Sequence, residues 1–596
     1  MKYFLFTFLL FLVLFSKGQS LVILHTNDMH SHLNGFSPEA EYTPLIDDED
    51  PTAGGFSRIA GLIQSEKEKY GESLLVLDAG DFSMGTLFQT LEMTEGFQLN
   101  LMKKMGYEFV AIGNHEFDYG PNTLATMINN NLKNGPIPQL LCANYAGSKL
   151  YPDDLLQKSF DDGVILPYSV IVKNGIKIGL FGLVGVDADE SIASYFGVQF
   201  DKQKKVAKAT AKYLKKTEKV DLVIALSHSG VWKNKKGKWS GEDLDYAKAA
   251  PDIDLIISGH THTYLPIALH AGNATIVQTG ALGLNVGKVS ISMKEDHRPQ
   301  IDYELVAMND KIIADPEIQQ LIDSKTSWIE KNILMDAGSS FSKPILETSF
   351  DLTMDENHPF ESNLGPFIAD AIYHSLNQDK APKVDMAMVA TGVIRTNIYT
   401  GKKGLQNIND LFNVMPLGNG DDQVPGSSLG KIYVTGSELK KVLELILAVY
   451  PMKTNYYLYY SGAQIEFNPD KGFFKKISAI KIGDEEKGFR TLDIGKKSQD
   501  LVSIAANKYM ISFIGQLKKM SFGLVNVIPK RGNGVPFGDD SFLVDLDDQK
   551  EGVQEAKEWL SIYHYIKEFS DVNGNGIPDV PEVYQTKRNP LLVVKQ

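Results

Sequence analysis

From residue 21 to about residue 308, short apolar runs alternate with longer amphipathic stretches. The runs at 21–24, 74–77, 109–112, 222–226 and 253–257 are rich in Leu, Ile, Val and Phe, which predicts strands. The stretches 57–69, 96–105 and 206–217 predict helices. This alternation predicts a layered α/β domain over 21–308. Asp315 followed by Pro316 then reads as a helix start, the Asp as cap and the Pro in the first turn. Ile318, Leu321, Ile322 and Ile329 recur at helical spacing, so 316–334 reads as a connecting helix within the segment 309–341. A second α/β region covers 342–548, with helices expected at 364–376 and 436–449 and strands at 386–389 and 464–467. The tail, 549–596, begins with an expected helix at 554–569 and then turns glycine-rich.

The N-terminus breaks the pattern. Lys2 precedes an apolar run over 4–15 and then Ser16, Lys17 and Gly18, which reads as a secretory signal over 1–18; an uncleaved anchor is the alternative. The run is short for a spanning helix, which needs about 20 residues, so no transmembrane segment is expected once the signal is removed. Cys142 is the single cysteine, so no disulfide forms within the chain, and export to a bacterial periplasm or surface fits that composition. A net charge of −14 argues against nucleic-acid polymers and anionic membranes as partners, while leaving a small phosphorylated substrate open if cations reverse the local field.

Each of the five apolar runs of the first domain ends in metal-ligand chemistry. The blocks are Asp28-Met29-His30, Gly80-Asp81-Phe82, Gly113-Asn114-His115-Glu116-Phe117-Asp118, Ser227-His228-Ser229 and Gly259-His260-Thr261-His262. Nine of the twelve histidines precede residue 300 and five lie inside these blocks, so imidazole is concentrated where the carboxylates are. Mixed carboxylate, imidazole and amide donors suit Zn²⁺, Mn²⁺ or Co²⁺. Two such ions about 3.5–4 Å apart grip both oxygens of an in-line phosphoryl displacement, and Asp81 is the natural bridging carboxylate. Asp28 and His30, like His260 and His262, are two apart, and alternation along a strand would aim both members of each pair at one edge.

The series resembles the calcineurin-like metallophosphoesterases. The longer form Gly-Asn-His-Glu-Phe-Asp-Tyr-Gly, followed by a second α/β domain, is similar to the 5′-nucleotidases, over about residues 21–545. The resemblance implies a four-layer α/β/β/α catalytic domain, a connecting helix and a second α/β substrate-binding domain. It implies one ion held by Asp28, His30, Asp81 and His262, and another by Asp81, Asn114, His228 and His260. His115 would be a catalyst and not a ligand, oriented by Asp118, with metal-coordinated hydroxide as the nucleophile.

The second domain carries the family's landmarks with departures. Glu361-Ser362-Asn363-Leu364-Gly365 matches the nucleotidase helix start, and Arg395 in Gly392-Val393-Ile394-Arg395 occupies the place of a substrate-binding arginine. Asn419 closes Pro416-Leu417-Gly418-Asn419, in which Leu417 replaces a base-stacking Phe. Ala390 and Phe360 replace an Asn and an Arg, and Phe542 is the nearest match to the second stacking aromatic. An independent loop in the tail, Asp571, Asn573, Asn575, Ile577, Asp579 and Glu582, matches the twelve-residue EF-hand pattern and predicts a bound Ca²⁺ that stabilises the tail.

The sequence therefore leads to an exported, metal-dependent phosphoester hydrolase acting on nucleotides. The alternatives are a cyclic-nucleotide phosphodiesterase, a nucleotide-sugar hydrolase or a non-nucleotide phosphoesterase. From another class, a binding or adhesion protein that retains metal without turnover would also fit the ligand pattern.

Overall fold

The computed structural model describes residues 19–593, apart from 36–41, 48–51, 151–154, 193–195, 235, 295–297, 336–337, 342, 356, 379–380, 402, 421, 423, 473, 538–540, 547–552 and 587–590. The expected signal segment, 1–18, lies outside the described residues, as do Gly538, Asp539 and Asp540. Among the described residues no helix is long and apolar enough to cross a membrane.

Two sheets face each other in the first half of the chain. The seven-stranded sheet runs in the order Pro299–Ala307, Asn285–Met293, Ser20–Thr26, Leu74–Asp78, Phe109–Ala111, Gln139–Leu141, Ile165–Leu166. Its members from Ser20–Thr26 to Ile165–Leu166 are parallel. The six-stranded sheet has Leu222–His228 at its centre, parallel to Ile176–Val184 on one side and Leu255–Ser258 on the other. All five strands that precede the metal blocks are thus interior strands, each parallel to at least one neighbour and covered on both faces, which is why they read as unbroken apolar runs.

Alternate residues divide the layers. Leu21, Ile23, Leu75 and Leu77 pack against Leu222, Ile224, Leu226 and Ile257 between the sheets. Their neighbours Val22, Leu24, Leu74 and Val76 turn outward onto Phe56, Ile59, Leu99 and Ile128 of the helices Phe56–Tyr70, Gln98–Met105 and Pro121–Asn134. Val223 and Ala225 meet Ala207, Ala211 and Tyr246 of the helices Gln203–Tyr213 and Glu242–Ala249 on the far side. The order is helix, sheet, sheet, helix, as in the expected four-layer arrangement.

Asp315 caps the helix Pro316–Ile329 by accepting from the backbone N–H of Glu317 (2.9 Å) and Ile318 (3.0 Å). A π-turn, Glu330–Leu334, extends it. The helix packs on Phe56–Tyr70, and the Ser57 hydroxyl donates to Gln319 (2.6 Å). The second α/β unit is built on the sheet Leu429–Thr435, Leu501–Asn507, Met386–Ala390, Leu458–Ser461. The helices Leu364–Ser375 and Gly436–Val449 form where expected, the latter opened by a Thr435/Glu438 capping box.

The helix expected at 554–569 starts only at Glu558 and ends at Ile566. Glu555 and Lys557 lie in extended chain that bridges Asp545 and Ser428. Both side chains are buried on one face, where the Lys557 ammonium meets Glu555 (2.8 Å), Asp422 (2.9 Å) and the Ser428 hydroxyl (3.0 Å). Residues two apart share a side in a strand and not in a helix, so the buried ion pair overrides the local helical pattern.

Candidate metal centre

The C-terminal ends of the five parallel strands meet on one rim. There, Asp28, His30 and His262 bring three donor atoms within 4.8 Å of one another, and Asp81, His228 and His260 do the same beside them. His30 Nε2 lies 2.9 Å from His262 Nε2, and His262 Nε2 lies 3.6 Å from Asp28 Oδ1. His228 Nε2 is 2.9 Å from Asp81 Oδ2 and 3.9 Å from Asp28 Oδ1, which joins the groups. The Asn114 carbonyl oxygen faces both His228 Nε2 (3.2 Å) and His260 Nδ1 (2.9 Å).

The second nitrogen of each of three rings is held from behind. His30 Nδ1 contacts the Met84 carbonyl (2.8 Å), His228 Nδ1 the Ala79 carbonyl (2.9 Å) and His260 Nε2 the Asp187 carboxylate (3.3 Å). Donation to these acceptors leaves the opposite nitrogen lone pair directed into the site, as metal ligation requires. Carboxylate, imidazole and amide donors in two adjoining groups fit a pair of borderline divalent ions.

Strand alternation is not what brings the paired ligands together. The first strand ends at Thr26, and Asp28 (φ 52°), His30 (49°), Asp81 (54°), His260 (73°) and His262 (51°) all adopt left-handed backbone conformations in the loops that follow. Such conformations cost about 1–3 kcal/mol each in non-glycine residues and persist where the surroundings dictate them. The glycines of the motifs give room for this crowding. A Cβ on Gly113 would lie 2.2 Å from Asp81 Oδ1, and one on Gly259 would lie 2.9 Å from His228 Nδ1.

Burial sets the charges. It pushes the Asp28 carboxyl up to about 6 and keeps His30 and His262 well below the usual histidine range, hence neutral. Burial opposes charge on Asp81 and His228 as well, but their mutual attraction wins. Asp81 is held well below the carboxylate range and His228 is raised to about 10. Ligation by His228 therefore displaces a proton. His115 Nδ1 pairs with Asp118 (2.7 Å), and its backbone N–H donates to Asp81 Oδ1 (2.8 Å). Burial disfavours its charge, yet Asp118 and Asp81 raise its pKa. Its ring stands edge-on to His30, 5.1 Å between centroids.

Three supporting carboxylates escaped the sequence reading. Glu116, inside the Gly-Asn-His-Glu motif, accepts from the N–H of Asp81 (3.0 Å), Ser83 (3.0 Å) and Gly113 (2.7 Å), tying two ligand loops together. Asp187, which holds His260, follows the strand Ile176–Val184 and so had the same strand-end signal as the other blocks, without a histidine beside it. Asp243 accepts from the hydroxyls of Ser227 and Ser258 (2.6 Å each), bracing the strand ends that carry His228 and His260; burial pushes it up to about 7. A folded-state pKa above the unfolded value near 3.9 means that its contribution to stability is full below about pH 4 and is lost as pH rises to about 7. Asp243→Asn is therefore expected to flatten part of that decline. Melting curves at pH 5 and pH 8 should show the variant gaining on the wild type at pH 8; an equal gap at both would contradict the assignment.

Arg395, from the second α/β unit, lines a cavity of about 250 Å³ together with His30, His262, Tyr264 and Asn413. Asn419 and Phe542 do not line it. Asn419 bridges Pro425, and Phe542 packs against Phe537 and over Gly430. In the tail loop the Asp571 carboxylate accepts from the N–H of Gly574 (2.7 Å), Asn575 (3.1 Å) and Gly576 (2.8 Å). Ile577 N–H donates to Asn575 (2.9 Å), Val572 N–H donates to Asp579 (2.7 Å), and Glu582 opens a short 3₁₀ turn. The amides of Asn573 and Asn575 donate to Glu347 (3.1 and 2.6 Å), a carboxylate from outside the loop.

Comparisons with known proteins identify the family and the fold. The calcineurin-like phosphoesterase profile matches residues 21–264, and the 5′-nucleotidase C-terminal domain profile matches 340–496. The 5′-nucleotidase of Vibrio parahaemolyticus is 26% identical over 505 residues, covering 78% of this chain and 80% of that protein. The trifunctional nucleotide phosphoesterase YfkN of Bacillus subtilis is 27% identical over 448 residues, which are 71% of this chain and 27% of that longer protein. The crystal structure of a 5′-nucleotidase precursor from Thermus thermophilus shares the fold, with a TM-score of 0.66 at 21% identity, covering 94% of this chain and 100% of that one. These are the metallophosphoesterases, which bind a dinuclear metal site. The chain belongs to their 5′-nucleotidase family and is a metal-dependent phosphoester hydrolase.

Proposed function

We propose that this protein is an exported nucleotide phosphohydrolase working at a two-metal centre. Asp28, His30, Asp81 and His262 would hold one ion, and Asp81, Asn114, His228 and His260 the other. When bound, the ions supply positive charge to the phosphoryl oxygens and make water a usable nucleophile near neutral pH. The protein's own groups do the rest. Asp118 favours the protonated form of His115, and the His115 ring offers charge or a proton to the leaving oxygen. Arg395 places a cation in the lining of the cavity that His30 and His262 share, where it would bind the substrate's anionic group. The observation that carries the reading is the conjunction of two adjoining donor groups with a non-ligand His115–Asp118 pair at their edge; a purely binding site has no use for that pair. Export rests on Lys2 and the apolar run over 4–15. A division into a catalytic domain, 21–308, a connecting segment, 309–341, and a substrate-binding domain, 342–548, with a calcium loop at 571–582, completes the proposal.

A second reading keeps the chemistry and changes the ester. Phe360 packs against Tyr450 (5.4 Å) and Tyr457 (5.1 Å) in an aromatic cluster where the family pattern has a cation, and Leu417 offers no aromatic face. Cyclic nucleotides, nucleotide sugars or a non-nucleotide phosphoester would suit such a site. Phosphate release with Mn²⁺ over mononucleotides, cyclic nucleotides, nucleotide sugars and glycerol phosphate tests both. Mononucleotides should give the highest kcat/KM. Cleavage confined to another ester would transfer the assignment to it, and no release from any ester would make the protein a binder.

A further inference from the structure

A buried glutamine joins the metal loop to the second α/β unit. Gln89 is 1% exposed. Its Oε1 accepts from the Gly85 N–H (2.8 Å), and its Nε2 donates to the carbonyls of Pro416 (2.8 Å) and Gly418 (3.4 Å). Gly85 follows Met84, whose carbonyl holds His30. From the other side Asn413, with its amide turned to satisfy its neighbours, donates to the Gly85 carbonyl (3.2 Å). One side chain thus touches both the loop behind His30 and the 416–419 backbone.

We infer that Gln89 is a positioning residue that docks the 416–419 loop onto the metal loop, so that the second α/β unit, which brings Arg395 to the cavity, is registered against His30. The physical ground is that the buried Nε2 finds its acceptors, the Pro416 and Gly418 carbonyls, only in this docked arrangement, whereas the Gly85 contact is local. Undocking strands the Nε2 donor, and a stranded buried donor costs more than the bond's net contribution. The inference rests on the proposed role of Arg395 in substrate binding.

The two halves of the amide can be separated in the full-length protein. Gln89→Glu keeps an acceptor for Gly85 N–H but sets a carboxylate oxygen against the Pro416 carbonyl. Gln89→Leu removes both bonds. With Mn²⁺ and a mononucleotide, Gln89→Glu should raise KM by about three- to tenfold, leave the Mn²⁺ concentration for half-activation within about twofold, and speed amide hydrogen exchange in the 412–420 segment. Gln89→Leu should add a loss of Mn²⁺ affinity. Wild-type KM and exchange in Gln89→Glu would overturn the inference, and so would equal loss of Mn²⁺ affinity in both variants, since that is what a merely structural role gives. If the wild type released no phosphate from any nucleotide, the substrate reading would fall; the exchange comparison would still decide the docking.

Discussion

Replacing His115 by alanine should lower kcat by about 10²–10⁴-fold while both ions remain bound. The expectation follows from geometry. The His115 side chain belongs to neither donor group, and its ring abuts His30 at 5.1 Å. Asp118 at 2.7 Å and the nearby Asp81 raise its pKa against the opposing effect of burial, so the ring carries its proton further up the pH scale than a solvent-exposed histidine does. A group that works protonated loses its effect as pH rises through its pKa. Asp118→Asn should therefore move the alkaline fall of kcat to lower pH, while His115→Ala should abolish that limb. Metal content by elemental analysis, measured beside the pH–rate profile, separates this from a collapsed site. A His115→Ala enzyme with wild-type kcat would remove His115 from the chemistry.

Asp81→Asn should do more, because it strikes the ions themselves. The carboxylate faces His228 at 2.9 Å with both side chains all but fully buried. Altering a residue that merely orients a ligand costs about 10–100-fold in metal affinity, so losing a charge that two ions would share should exceed that. Activity at micromolar Mn²⁺ should vanish. Removing one member of a buried ion pair costs about 3–5 kcal/mol, so the metal-free variant should also melt well below the metal-free wild type. Added metal should protect the wild type from heat and leave the variant unprotected, since ligands stabilise only what binds them. Equal metal protection of both proteins would show that Asp81 is not shared.

Much of the site was legible because interior parallel strands are apolar on both faces and stop abruptly at their ligands. Leu21 to Leu24 and Leu222 to Leu226 announce their strands, and Asp28, His30 and His228 follow each within a few residues. The way Asp28 and His30 converge was not legible. Left-handed conformations at non-glycine residues are imposed by the packed rim and have no local signature. Glu116, Asp187 and Asp243 were missed for a related reason. A carboxylate whose partners are backbone N–H groups, strand-end serines or a histidine far along the chain looks, in sequence, like any surface acid. The late start of the tail helix at Glu558 shows a local pattern giving way to the buried contacts of Glu555 and Lys557.

The proposed function requires two ions that share Asp81. A crystal of the full-length enzyme soaked in Mn²⁺ and measured at the manganese edge should show two anomalous peaks about 3.5–4 Å apart. One should lie among Asp28, His30 and His262, the other among Asn114, His228 and His260, with Asp81 between them. A single peak, or a pair that Asp81 does not touch, would contradict it.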